Sequence, residues 1–128
     1  MKKLIYLFVM AILVSGCATY SGFIARNREN LMKLSIGMNK QEVLNIMGTN
    51  SERVDFGTFK VTNPYRSEIM QGKDKTFEIL YYYTDCKALD GAITDDELTP
   101  LVFDNGKLIG WGNSFLQSNI QKYEIRIR

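Results

Sequence analysis

The chain has 128 residues, which suits a single domain, and its 45% hydrophobic and 23% charged residues are typical of a folded globular protein. Its 16 basic and 14 acidic side chains form no concentrated basic stretch, which argues against a nucleic-acid partner. The chain contains no histidine, and this excludes Ser-His-Asp and Cys-His catalysis as well as histidine-bearing zinc sites. We therefore expect no enzyme activity, no catalytic residue, no metal site and no cofactor.

Residues 1–16 have the pattern of a bacterial signal peptide. Lys2 and Lys3 precede an uninterrupted apolar run of 11 residues, from Leu4 to Val14. As a helix this run would span about 16 Å, whereas the hydrocarbon core of a bilayer is about 30 Å thick. The run is thus short for a membrane span and typical of a signal peptide. Removal of Lys2 and Lys3 with this segment leaves 14 basic and 14 acidic groups, so the mature chain is neutral.

The segment Val14-Ser15-Gly16-Cys17 resembles the lipobox of bacterial lipoproteins. The resemblance implies cleavage between Gly16 and Cys17, a thioether from the Cys17 sulfur to diacylglycerol, and acylation of the new N-terminus. An ordinary secretory signal or an uncleaved short anchor is the alternative. The lipid predicts attachment to a membrane of the cell envelope, and Ala18 in place of Asp implies the outer membrane, facing the periplasm. Lipidation would use the sulfur that could otherwise form a disulfide with Cys86.

The residues after the cleavage site divide into a short tether and one domain. Residues 17–25 are expected to be the lipidated N-terminus and its tether, and residues 26–128 a single α+β domain. The first predicted helix covers Arg26–Leu34, with Leu31 and Leu34 facing inward.

A second helix is predicted over Lys40–Met47. Asn39 is its N-cap and Glu42 occupies the third helical position, a variant of the capping box. Gly48 suits the left-handed position that follows a helix.

From Glu52 onward, apolar residues alternate with period two, which predicts strands. The predicted strands are Arg53–Lys60, Thr76–Thr84, Leu101–Phe103, Lys107–Trp111 and a C-terminal edge strand with Tyr123, Ile125 and Ile127 inward. Asn105-Gly106 predicts a type I′ hairpin that pairs Phe103 with Leu108, Val102 with Ile109 and Leu101 with Gly110. Residues 114–121 are a helical turn or a loop. The expected fold is α+β, with two short N-terminal helices packed on one face of an antiparallel sheet of three to five strands.

Two segments resemble known bacterial lipoproteins. The segment from Ile36 to Thr49 is similar to the SmpA/OmlA (BamE-like) group, through its Gly-Met cap, short helix and Met-Gly-Thr ending. The segment from Thr99 to Gly112 resembles an uncharacterised lipoprotein family of the same architecture. The resemblance covers about residues 30–113 and implies two helices on a three-stranded antiparallel sheet.

Two groups of residues are candidates for a reactive or metal-binding site. Cys86 could be a reactive thiol, but a cysteine in a loop or at a strand end is favoured because no base accompanies it. An acidic stretch could hold calcium, but its spacing does not match an EF-hand loop, so a solvated loop is favoured; it comprises Asp85, Asp90, Asp95, Asp96 and Glu97. Thr94 with Asp95 or Asp96 could cap a helical turn.

Aromatic residues mark the candidate contact surface. Tyr81 and Tyr83 are expected in the core. The opposite face of the sheet is the expected partner surface, unless the C-terminal strand covers it; its residues are Tyr82, Val102, Ile109 and Trp111. The expected function is a non-enzymatic envelope lipoprotein that binds another envelope protein, as an assembly accessory or scaffold. The alternative is an enzyme-inhibitor or small-ligand-binding module, because β-lactamase-inhibitor proteins share a related architecture.

Overall fold

A computed structural model describes residues 22–54, 59–87 and 93–122. Its three helices are α1 (residues 22–31), α2 (Lys40–Met47) and α3 (Asn113–Lys122). Its six strands are β1 (Ser51–Val54), β2 (Phe59–Thr62), β3 (Arg66–Gln71), β4 (Thr76–Tyr83), β5 (Leu98–Asp104) and β6 (Lys107–Trp111). Asp95–Glu97 forms a short 3₁₀ turn. Gly16, Cys17 and the predicted C-terminal strand lie outside the described residues.

The strands form two antiparallel sheets. β3, β4, β5 and β6 make a four-stranded sheet in that order, and β1 pairs with β2 in a separate two-stranded sheet. The predicted α+β class and antiparallel pairing are confirmed. Among the described residues, no helix is long and apolar enough to span a membrane.

β4 is buried on both of its faces. Phe77, Ile79, Tyr81 and Tyr83 belong to one apolar cluster, which we call core A. Leu80 and Tyr82 point the other way, into a second cluster, core B. Because a strand projects successive side chains to opposite faces, both faces of the sheet need a cover.

The helices provide that cover on both faces, so the prediction of helices on one face is wrong. The apolar stripe of α2 supplies Val43 and Met47 to core B. Core A receives Phe23 from α1 and Leu116 from α3. Val61 of β2 is also fully buried in core A.

The predicted bounds of α2 are confirmed at both ends. The Asn39 side chain accepts a hydrogen bond from the Glu42 N–H (2.9 Å) and donates one to the Glu42 carboxylate (3.0 Å). At the other end Gly48 has φ 85° and its N–H donates to the Leu44 carbonyl (2.8 Å). A side chain at that φ would be strained, which is why glycine ends the helix.

The domain begins earlier than the predicted boundary between residues 25 and 26. Residues 22–25 are helical rather than part of a tether, and Phe23 and Ile24 are buried in core A. The helix ends at residue 31, although Leu34 in the following turn is buried as predicted. The apolar pair Phe23-Ile24 was available in the sequence as the signal for the earlier start.

A buried pair of amides fixes α1 against the rest of the domain. Asn27 and Asn63 are 1% and 4% exposed, and their side chains exchange two hydrogen bonds of 3.0 and 2.9 Å. Asn27 also donates to the Tyr83 carbonyl (2.8 Å). Since buried polar groups are costly when left without partners, this network specifies one position for α1.

Three further predictions about elements were wrong or incomplete. The single strand Arg53–Lys60 is replaced by the pair β1 and β2. β3 was not predicted, because Met70 is the one buried residue among its six. Residues 114–121, left open between helix and loop, lie in α3.

A β-bulge changes the predicted register of the β5–β6 hairpin. Phe103 pairs with Leu108 as predicted, and Asn105 and Gly106 have the positive φ angles of the expected turn, 52° and 76°. Beyond the turn the register shifts by one residue, so Val102 pairs with Gly110 and Leu101 with Trp111. The bulge rotates Gly110 onto the core A face, where Phe115 of α3 packs on it.

Gly110→Ala should destabilise the protein by about 1–3 kcal/mol, since a Cβ there would lie 2.6 Å from the Phe115 ring. Urea denaturation followed by circular dichroism measures the difference. Gly22→Ala, at an exposed helical position with its nearest neighbouring atom at 3.9 Å, is the control and should leave stability unchanged or slightly raised. Equal stability of the two variants would contradict the close packing of α3 on β6.

Candidate functional site: the open edge of the four-stranded sheet

The predicted partner surface is not a surface. Tyr82 and Val102 are both completely buried, and Ile109 and Trp111 are half-buried. The four residues also lie on opposite sides of the sheet, because Val102 and Ile109 pack in core A while Tyr82 and Trp111 pack in core B. The β4–β5 register puts Tyr82 and Val102 on opposite faces, and the β-bulge separates Trp111 from Ile109. Helices cover both faces, so neither face is free as the prediction assumed.

Tyr82 instead ties the sheet to the end of α2. Its hydroxyl donates to the Gly48 carbonyl (3.2 Å), and burial raises the pKa of Tyr82 above its ordinary value. A neutral phenol that anchors a helix end is a structural element of the core rather than a contact for a partner.

Cys86 is disulfide-bonded. The chain holds two cysteines, so a disulfide within it requires Cys17, which lies outside the described residues. A sulfur that forms a thioether to lipid cannot also form a disulfide. A disulfide between Cys86 and Cys17 would therefore exclude the predicted lipidation of the Cys17 sulfur.

The acidic stretch is organised by its one buried member. Glu97 is 2% exposed, and its carboxylate accepts hydrogen bonds from the Thr94 and Lys87 N–H groups (3.0 and 2.8 Å). Thr94 therefore begins the 3₁₀ turn as predicted, and the signal that would have placed Glu97 inside was the Thr-x-x-Glu spacing of a capping box.

The other described acidic residues of the stretch pair with cations. Asp85 lies 3.3 Å from Arg28, Asp95 2.9 Å from Arg66 and Asp96 3.7 Å from Lys87. Among the described residues, no three acidic or cysteine side chains lie together as metal ligands. Asp90 is outside the described residues.

One edge of the four-stranded sheet is closed by the loop between α1 and α2. The Gly37 N–H donates to the Leu108 carbonyl, and the Leu108 N–H donates to the Met38 carbonyl, both at 2.8 Å. Asn39 and Lys107 continue this pairing as an isolated antiparallel bridge. The N–H and carbonyl groups of Leu108 are thus partnered within the chain, which blocks this part of the edge.

The opposite edge, formed by β3, is open within the described sheet. β3 is the terminal strand and pairs only with β4. Ile69, at the centre of β3, is 69% exposed, and Tyr65, the residue before the strand begins, is 39% exposed. An edge strand with an exposed apolar side chain is a template for pairing with a further strand.

A polar cluster on the core A side fixes β3 in place. The Arg66 guanidinium lies 4.2 Å from the centre of the Tyr81 ring and 2.9 Å from Asp95. The Tyr81 hydroxyl donates to Glu68 (2.9 Å). Both charged side chains of β3 therefore contact the protein itself, and Ile69, on the other face, is left toward solvent.

These features define a small α+β protein whose described sheet is covered on both faces, closed at one edge and open at the other. The chain belongs to the DUF3192 family, a family of proteins of unknown function, whose sequence profile matches residues 20–118. No curated protein and no solved structure matched the chain.

The surroundings of Tyr81 should make the free energy of unfolding depend on pH in the alkaline range. Burial first, and then the hydrogen bond to Glu68, raise the pKa of Tyr81 from 10.0 to about 12, against an opposing effect of Arg66. Between these values the unfolded chain releases a proton that the folded chain keeps. The free energy of unfolding should therefore fall as pH rises from 10 to about 12, by at most about 1.4 kcal/mol per pH unit from this group.

Urea denaturation across that range tests the assignment. Tyr81→Phe should be less stable near neutral pH, through loss of the bond to Glu68, but its stability should decline less steeply with pH. Parallel pH profiles for the two proteins would show that Tyr81 is not the responsible group.

Proposed function

We propose that this chain is a non-enzymatic lipoprotein of the bacterial cell envelope, anchored through lipid on Cys17 and binding another envelope protein at the β3 edge. The basic start, the short apolar run and the lipobox-like segment ending at Cys17 support the anchor. Residence in the outer membrane, facing the periplasm, belongs to the same proposal. The observation that carries the binding role is the open β3 edge with Ile69 exposed at its centre.

Strand addition is the mode of binding that this edge favours. An extended partner segment gains affinity from backbone hydrogen bonds along the edge and specificity from side chains at alternate positions. Ile69 offers an apolar contact beside the backbone groups, and Tyr65 extends it toward the start of the strand. Because Arg66 and Glu68 are held by Tyr81 and Asp95, β3 is already ordered before a partner arrives.

We further propose a shared structural plan with the SmpA/OmlA group for the segment around α2. The Asn39 cap and the left-handed Gly48 give this helix the short, sharply ended form that its motif implies. The four-stranded sheet and the cover of core A by α1 and α3 depart from a plan of two helices on three strands. The proposed kinship is therefore limited to α2 and its two caps, and it extends neither to the whole sheet nor to a particular assembly partner.

Intact mass of the membrane-extracted protein tests the anchor. The wild-type chain should begin at Cys17 and carry acyl and glycerol groups, whereas Cys17→Ser should lack them and remain with its signal segment attached. Cys86→Ser is the control, because lipidation does not involve its sulfur, and it should keep the full lipid mass. A mature wild-type chain without lipid would refute the anchor.

Site-specific photo-cross-linking in intact cells tests the edge. A photoreactive residue at position 69 should give one defined adduct with an envelope protein, and Tyr65→Lys in the same chain should reduce its yield several-fold by adding a charge to the docking edge. The matched control carries the photoreactive residue at position 32, an exposed apolar position in the α1–α2 loop. Adducts of the same identity from both positions, or none from position 69, would overturn the β3 edge as the binding site.

A further inference from the structure

The most exposed large apolar side chain in the described part of the protein is Met32, at 87%, and Ile36 follows four residues later at 64%. Both belong to the α1–α2 loop that closes the β6 edge. The Gly37 N–H is bonded to the Leu108 carbonyl, so the backbone beside Ile36 is held against the sheet. The two side chains are therefore presented to solvent by an ordered loop.

Cations accompany this apolar pair. Lys33 lies between Met32 and Ile36 in the chain, and the isolated bridge of Asn39 with Lys107 brings a second exposed lysine to the same end of the sheet. No acidic residue occurs in residues 30–41. Exposed apolar side chains flanked by lysines match the apolar interior and anionic headgroups of a bilayer surface.

The short stretch of chain between Cys17 and α1 favours the bilayer as the surface that Met32 and Ile36 contact. Five peptide units separate Cys17 from Gly22, so the start of α1 lies at most about 18 Å from a lipid on Cys17. α1 itself, over residues 22–31, is about 15 Å long. With its start tethered so closely, α1 can lie along the membrane and bring the loop at its far end to the same surface.

The outward side of α1 is compatible with that orientation. Its exposed positions Ala25 and Glu29 lie on one stripe of the helix, and this stripe points toward Met32 in the loop that follows. The opposite side carries Phe23 and Asn27, which are buried and fix the helix to the domain. The domain therefore follows α1 as a rigid body.

We propose that Met32 and Ile36, with Lys33 and Lys107 beside them, form a second membrane contact that seats the anchored domain on the bilayer with α1 along its surface. This contact rests on the proposed lipidation of Cys17, which supplies the tether. It assigns the α1–α2 loop to the lipid surface and leaves the β3 edge for a protein partner.

An environment-sensitive dye tests the contact in the lipidated protein. The dye is attached to a cysteine at position 32 or 36 of a Cys86→Ser chain, and the protein is reconstituted into vesicles of phosphatidylcholine and phosphatidylglycerol. Emission at both positions should lie at shorter wavelength, and be about two-fold or more stronger, than emission from the same dye at position 69 in the same vesicles. Ile69→Cys, labelled in the same way, is the matched control at an exposed apolar site, and its dye should report water.

Intact mass of each labelled sample separates failure of this contact from failure of the anchor. Lipidated protein whose dye at positions 32 and 36 reports water would overturn the contact alone, and so would an equal shift at position 69. Protein without lipid and without any dye response would overturn both the anchor and the contact. A second series with Lys33→Glu and Lys107→Glu should lower the emission change toward that of position 69, most strongly at low ionic strength.

Discussion

Burial of β4 on both faces is the constraint from which the rest of this structure follows. Every residue of the strand from Ile79 to Tyr83 is buried, and successive side chains enter opposite cores. A sheet with such a central strand cannot have one face in water. The chain meets the requirement by dividing its short helices, with α2 on core B and with α1 and α3 on core A.

Because both faces of the described sheet are covered, its edges are where its backbone can meet other molecules, and the two edges differ. The α1–α2 loop bonds to β6 through its backbone and turns Met32 and Ile36 outward. At β3, by contrast, the charged side chains contact Tyr81 and Asp95, and no strand among the described residues pairs with its outer edge. Both edges thus bear exposed apolar side chains, but the β6 edge is bonded to the loop through Leu108, whereas β3 pairs only with β4 among the described residues.

Local signals predicted those elements whose structure is determined locally. The bounds of α2 followed from Asn39 and Gly48, and the Asn105-Gly106 turn followed from its φ preference. The predicted surface around Trp111 failed because a bulge between Val102 and Phe103 and the packing of α3 are consequences of tertiary fit. β3 was not predicted for a related reason. Its charged residues lie on the inner face, where they bond within the fold, so its sequence does not alternate between apolar and polar side chains.

The proposed anchor and the two edges also fit one geometry. Three strand spacings separate β6 from β3, a distance of about 14 Å across the sheet. If the α1–α2 loop at the β6 edge rests on the bilayer, the β3 edge lies at the far side of the sheet from that contact, where an extended segment of a second protein can reach its backbone. A lipid on Cys17 alone would let the domain rotate about its tether, so contact at Met32 and Ile36 is what would give the β3 edge a defined direction.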